Sequence, residues 1–245
     1  MSKLILLTHP HQVILPSDDA ATRSVVCYLA GSGLPFHIDY ILNADSCSHD
    51  HLLPVTILNG SIVTGYTSLC LRLHILKTNS NINFDNSKLA SQNLRHAYLF
   101  WISDVLRNVM IYFTWLNEST YTNFTYKRIE SATPHLLAVF IAKRKRQQHL
   151  RFLKSIGWDK LTITDVLKNM EALCLSIVEL LGNGPFLFER NTPGKIDALL
   201  YGHWTVFYEF SECFSELKPV LDKYSVIINL IQRVAETCNQ PFSRT

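Results

Sequence analysis

Asp197, Gly202 and His203 fall close together in the stretch GPFLFERNTPGKIDALLYGHW at 184–204. An acid and an imidazole can pass a proton between them, and a glycine can admit a close neighbour. Yet no nucleophile accompanies them in the surrounding sequence, and the same residues also read as a folding device. Gly194 then stands at a helix N-cap, and Asp197, three positions on, reaches back to the cap N–H. That makes half a capping box, because glycine has no side chain to return the bond. Gly202 would let a second helix approach, and His203 is left without a reacting partner. The mechanical reading is the one adopted.

Other clusters invite chemistry as well. CSHDH gathers Cys47, His49, Asp50 and His51, and HPH adds His9 and His11. Imidazoles two apart on an extended segment can share a metal, but no second ligand pair stands at a recognisable spacing, so a polar loop and no metal centre are expected. Ser17 falls at a helix start, where the dipole could lower a thiol pKa; it also reads as a plain N-cap. The run KRKRQQHLRFLK concentrates Lys143, Arg144, Lys145, Arg146, Arg151 and Lys154 on one helix. Consecutive charges point all round a helix, so the run makes a basic end rather than a clean stripe. That end is either simply solvated or drawn to anionic lipid heads or an acidic partner. Phe100, Trp101, Tyr112 and Trp115 recur at helical spacing, to pack a helical core or, where exposed, to form a docking patch.

The elements that must position these residues are set by bulk and pattern. At 245 residues, 47% hydrophobic and 18% charged, the chain can bury a full core and is no disordered segment. A net charge of +3 is too small to mark a nucleic-acid binder. The six cysteines are scattered without a CxxC pair, as reduced buried thiols are. The opening MSKLILLTHPH has too short an apolar run for a signal peptide, so the sequons at Asn117 and Asn123 are expected to stay unglycosylated. No window is apolar enough to span a bilayer, so membrane association is expected to be peripheral.

Residues 12–77 alternate strand and helix signals. QVIL reads as a strand, DDAATRSVVCYLAGSG as a helix, LPFHIDYIL as a strand, PVTILNGSIVTG as a hairpin turning on Asn59-Gly60, and TSLCLRLHIL as a second helix. An Asn-rich polar stretch at 79–88 predicts a linker, and helical patterns follow at about 89–117, 133–155, 162–182, 194–210 and 216–238. The expected fold is α+β: a thioredoxin-like domain at 1–78, then an all-helical domain at 89–245.

That layout resembles glutathione-transferase-like proteins, which implies a cis bond before Pro54, directly ahead of the hairpin. ILPSDDAATRSVVCYLAGSGLPFHIDY, LRFLKSIGWDKLTITDVL and PFLFERNTPGKIDALLYGHW sharpen the match, for they are similar to the corresponding stretches of metaxins. Asp197, Ala198, Tyr201, Gly202 and His203 match the metaxin pattern in the last of these, whereas Gly194 replaces the usual Thr. A glutathione-using enzyme would need an acid-then-Ser pair after the hairpin, and the register puts Gly65 and Tyr66 there. No catalytic, cofactor-binding or metal-binding residue is therefore expected.

The resemblance implies a non-enzymatic subunit of the sorting and assembly machinery that inserts β-barrel proteins, on the cytosolic face of the mitochondrial outer membrane. It implies as partners a membrane-anchored metaxin paralogue and a barrel subunit, and a possible link to transport motors. The alternatives are a glutathione-dependent transferase and a soluble adaptor of the same fold outside mitochondria.

Overall fold

The computed structural model describes residues 4–78, 86–240 and 242. The chain opens with β1 (Leu4–Thr8), α1 (Pro16–Gly31), β2 (Phe36–Tyr40), β3 (Val55–Leu58), β4 (Ser61–Thr64) and α2 (Tyr66–Thr78). The four strands form one sheet in the order β2-β1-β3-β4. β2 runs parallel to β1, which requires the crossover that α1 supplies, and β3 and β4 return antiparallel. Asn59 and Gly60 both have positive φ, 52° and 80°, the conformation that a two-residue hairpin needs. The Leu53–Pro54 bond is cis, as expected.

The first strand is LILLT, not QVIL. Ile14 and Leu15 are buried, but in the turn before α1, where Val13 and Ile14 donate their N–H groups to the Pro10 carbonyl. Buried loop and strand look alike in so short an apolar run. Ser17 is likewise not the N-cap: Leu15 holds that place with no side-chain bond, and Pro16, whose missing N–H costs nothing there, opens the helix.

Helices make up the rest: α3 (Asn86–Ile111), α4 (Glu118–Thr120), α5 (Tyr126–Ala132), α6 (His135–Ser155), α7 (Ile163–Leu181), α8 (Lys195–Glu209), α9 (Lys218–Lys223) and α10 (Ser225–Thr237). Most of the linker expected at 79–88 lies outside the described residues, and its last three residues already belong to α3. Two π-helical turns, Tyr112–Leu116 at the end of the helix expected at 89–117 and Tyr121–Thr125 beyond it, carry the chain from α3 to α5. α7 begins on a complete capping box, in which Thr162 Oγ1 accepts from Asp165 N–H and Asp165 Oδ2 accepts from Thr162 N–H. Among the described residues no helix is long and apolar enough to cross a membrane.

At the centre stands α8, buried along its whole length from Ile196 to Tyr208. One continuous apolar core runs from Leu4 and Leu6 in the sheet through Cys27 and Leu29 of α1 to Trp204 and Phe207 of α8 and Ile231 of α10. A thioredoxin-like module and an all-α module thus share a core, and α1 against α8 is the seam between them.

Candidate functional site

The seam is built from small residues. Ser24 of α1 donates its hydroxyl hydrogen to the Ala20 carbonyl at 2.7 Å and faces the Leu199 carbonyl of α8 at 3.3 Å. A Cβ placed on Gly202 would lie 2.2 Å from Ser24 Oγ and 2.4 Å from the Ala20 carbonyl oxygen. Only glycine permits that approach. At the solvent end of the seam, Arg23 pairs with Asp19 (2.8 Å) and with Glu209 (2.6 Å), and His11 joins Glu209 at 2.7 Å. His11, Asp19 and Glu209 are close enough to share a cation. Arg23 already meets the charge of both carboxylates, so the cluster reads as an ion-pair network fastening α1 to α8.

Asp197 closes the other end. It is 1% exposed, with Oδ1 accepting from Leu187 N–H at 3.0 Å and Oδ2 from Gly194 N–H at 2.7 Å. One carboxylate therefore holds both the aromatic plug and the start of α8. Burial raises its pKa to about 6, against the opposing pull of those two N–H bonds and of Arg190. Arg190 lies beside Gly194 as well: its Nη1 is 2.7 Å from where a Cβ at 194 would be, a contact that the flexible end of an arginine can yield. The plug itself turns through left-handed backbone at Phe188 and Glu189, with φ of 60° and 53°. Gly184 sits so close beneath that its Cβ would meet Glu189 Cα at 2.5 Å.

His203 bonds within its own helix. It is buried, and because a carbonyl can only accept, its Nδ1 carries the proton and donates to the Leu199 carbonyl at 2.8 Å. Burial lowers its pKa to about 4, so the ring is neutral at physiological pH. A depressed folded pKa means that the unfolded chain binds the extra proton first. Stability present above the ordinary value of 6.5 is then lost as pH falls towards 4. At pH 5 the loss is about 2 kcal/mol. Urea unfolding of His203→Gln at pH 7 and pH 5 should show a fall smaller than wild type by that amount; an unchanged pH dependence would remove the neutral buried imidazole.

The places where a thiol would be handled are both occupied by structure. Gly65 has φ +68° and turns the chain into α2, and Tyr66 beside it is buried with its hydroxyl donating to the Lys195 carbonyl of α8. The residue that would hold a ligand's charged group fastens the two modules together instead. At the start of α1, Asp18 and Asp19 put two carboxyls where a thiolate would need a positive field, and burial raises Asp18 to about 6. Above that turn Arg128 of α5 donates to the carbonyls of His11 (3.0 Å) and Ile14 (2.6 Å).

The remaining sequence candidates separate. In the CSHDH loop, Asp50 accepts from Leu52 N–H (3.2 Å) and Thr64 Oγ1 (2.5 Å), His51 bonds the Asp45 carbonyl, and Cys47 is exposed. The other five cysteines are buried and unpaired by disulfides, as expected of reduced thiols. Tyr112 and Trp115 are core residues, whereas Phe100 and Trp101 are nearly half exposed on α3.

The basic run divides by face. Lys145 pairs with Asp45 at 2.8 Å. Arg146 forks onto Glu118, donates to the Trp115 carbonyl at 3.1 Å and lies over the Tyr121 ring at 4.0 Å. Lys143, Arg144, Arg151 and Lys154 are exposed. Sequence reasoning treated all of them alike; the partners Asp45 and Glu118 are far away in the chain, and no local pattern points to them.

Against this geometry the comparisons with known proteins are consistent. Residues 23–146, half of the chain, match the family described as outer mitochondrial membrane transport complex protein, and residues 170–234 match the glutathione S-transferase C-terminal domain. Human metaxin-2 is 25% identical over 223 residues, covering 91% of this chain and 83% of its own length. A Caenorhabditis elegans metaxin-2 homolog is 25% identical over 76% of this chain and 79% of its own. Mouse metaxin-1 is 25% identical over 77% of this chain but 60% of its own. Among solved structures, rat hPGDS complexed with a quinoline covers 99% of this chain and is covered completely, with a TM-score of 0.52 at 13% identity, a likeness of fold alone. The chain belongs to the family of outer mitochondrial membrane transport complex proteins, as a metaxin most like metaxin-2.

Proposed function

We propose that the chain is a non-enzymatic subunit of the machinery that inserts β-barrel proteins into the mitochondrial outer membrane. It sits on the cytosolic face, beside a membrane-anchored metaxin and a barrel subunit. The observation that carries the non-enzymatic part is Tyr66: the hydroxyl where a γ-glutamyl group would be held is bonded to the Lys195 carbonyl, inside the core. A ligand could take that place only by parting α2 from α8. The mitochondrial part is supported by the metaxin relatives, metaxin-1 among them.

Affinity purification of the tagged chain from mitochondria, with identification of what accompanies it, is the direct test. Recovery of a second metaxin and a β-barrel protein is the expected result; a tagged chain found wholly in the cytosol would defeat the reading. The enzymatic alternative has its own check. No retention on immobilised glutathione and no turnover of chlorodinitrobenzene are expected, and clear retention with turnover would reverse the assignment.

A further inference from the structure

The outer face of α6 is divided lengthwise into an apolar tip and a basic shaft. At about 100° per residue, Leu136, Leu137 and Phe140 share one side of the helix with Lys143, Arg144 and Arg151 further along. Leu136 is 87% exposed, Phe140 67% and Leu137 55%, so large apolar groups stand in solvent at the first two turns. The buried side of the same helix holds Ala138, Ala142 and Leu153. Lys145 and Arg146, the two basic residues that turn away from the outer face, are engaged with Asp45 and Glu118. α6 contains no acid, and the nearest one at the apolar end, Glu130, is hydrogen-bonded to His135 at 2.6 Å.

We infer that this face of α6 is a membrane-contact site that seats on an anionic phospholipid surface, Leu136 and Phe140 entering the acyl boundary and Lys143, Arg144 and Arg151 resting among the headgroups. The division of the face selects lipid over a protein groove. A helix that docks in a groove presents apolar residues at every turn of one stripe. Here the stripe ends after two turns and long cationic side chains continue it. A bilayer surface receives both halves: hydrocarbon beneath, phosphate above, with long basic stems able to span the two. The inference deepens the proposed membrane location, and its test needs neither mitochondria nor partners.

Purified full-length chain is mixed with phosphatidylcholine vesicles, with or without about one-fifth phosphatidylserine or cardiolipin, and sedimented at low and high salt. Binding to the anionic vesicles, weakened by salt, is expected. Each basic residue near such a surface contributes about 1 kcal/mol, so Lys143→Gln with Arg144→Gln should weaken partition roughly 30-fold. Leu136→Ser with Phe140→Ser should abolish retention at high salt, where hydrocarbon contact alone remains. Lys218→Glu, exposed at the start of α9, should bind as wild type does. Unchanged thermal unfolding of all three variants keeps the comparison free of misfolding. Equal binding to neutral and anionic vesicles would overturn the inference. So would no binding to anionic vesicles at low salt by a chain whose thermal unfolding shows it to be folded.

Discussion

Gly202→Ala should destabilise the chain by about 2–3 kcal/mol, read as a lower urea midpoint at unchanged slope. Two effects oppose each other. In a helix interior alanine is favoured over glycine by roughly 1 kcal/mol, so propensity alone would make the variant more stable. Against that, the new methyl would meet Ser24 Oγ, the Ala20 carbonyl oxygen and the Ser24 nitrogen, all under 3 Å away. The last two are backbone, so no rotamer change relieves them and α1 must part from α8. Overpacking of this kind costs about 1–3 kcal/mol and sometimes more, and backbone contacts put it at the upper end. Adding Ser24→Ala removes only the hydroxyl, so little rescue is expected. A Gly202→Ala chain as stable as wild type would mean the seam is looser than described.

Asp197→Ala should cost about 2–4 kcal/mol, more than the loss of an ordinary helix cap. The N–H groups of Leu187 and Gly194 would both be left buried without an acceptor, at about 1–3 kcal/mol each. Part of that is offset because the wild-type carboxylate is itself held against its preference, as the pKa of about 6 records. The offset gives the effect a pH signature. With the folded pKa raised above 3.8, the folded state binds the proton more tightly between the two values, and wild-type stability from this group grows as pH falls through that window. The gap between Asp197→Ala and wild type should therefore be wider at pH 4.5 than at pH 7. A narrower gap would contradict the assignment. A variant of wild-type stability that no longer captures its partners would instead give Asp197 a direct part in recognition.

Much of this arrangement was legible in the sequence where chemistry is local. Asn59-Gly60 marked the hairpin, the helical pattern expected from about 162 meets α7 at Ile163, and Asp197 three past Gly194 marked the start of α8. Long-range partners were not legible. Tyr66 looked like a gap in a binding site, and only the fold brings the Lys195 carbonyl to its hydroxyl. Lys145 and Arg146 looked like the rest of a basic run until Asp45 and Glu118 were placed beside them. Helix breaks without glycine or proline were also missed. The expected helix at 216–238 is interrupted at Tyr224, whose φ of −105° and ψ of 67° leave the helical region with no sequence mark. The aromatic and Asn-Thr stretch at 112–125 concealed two π-helical turns, one at the end of the expected 89–117 helix and one beyond it, whose wider period no 3.6-residue pattern reveals.

The seam between α1 and α8 also fixes an order of events during synthesis. Ser24 and Leu199 are 175 residues apart in the chain. At the usual elongation rates of about 5–20 residues per second, α1 emerges roughly 10–35 seconds before the helix that covers it. Over that interval the side of α1 that meets α8, with Ala20, Ser24 and Cys27, all destined for burial, waits without its cover. A ribosome-bound chain stalled before residue 195 should therefore remain a substrate for holding chaperones, and release from them should coincide with delivery of α8.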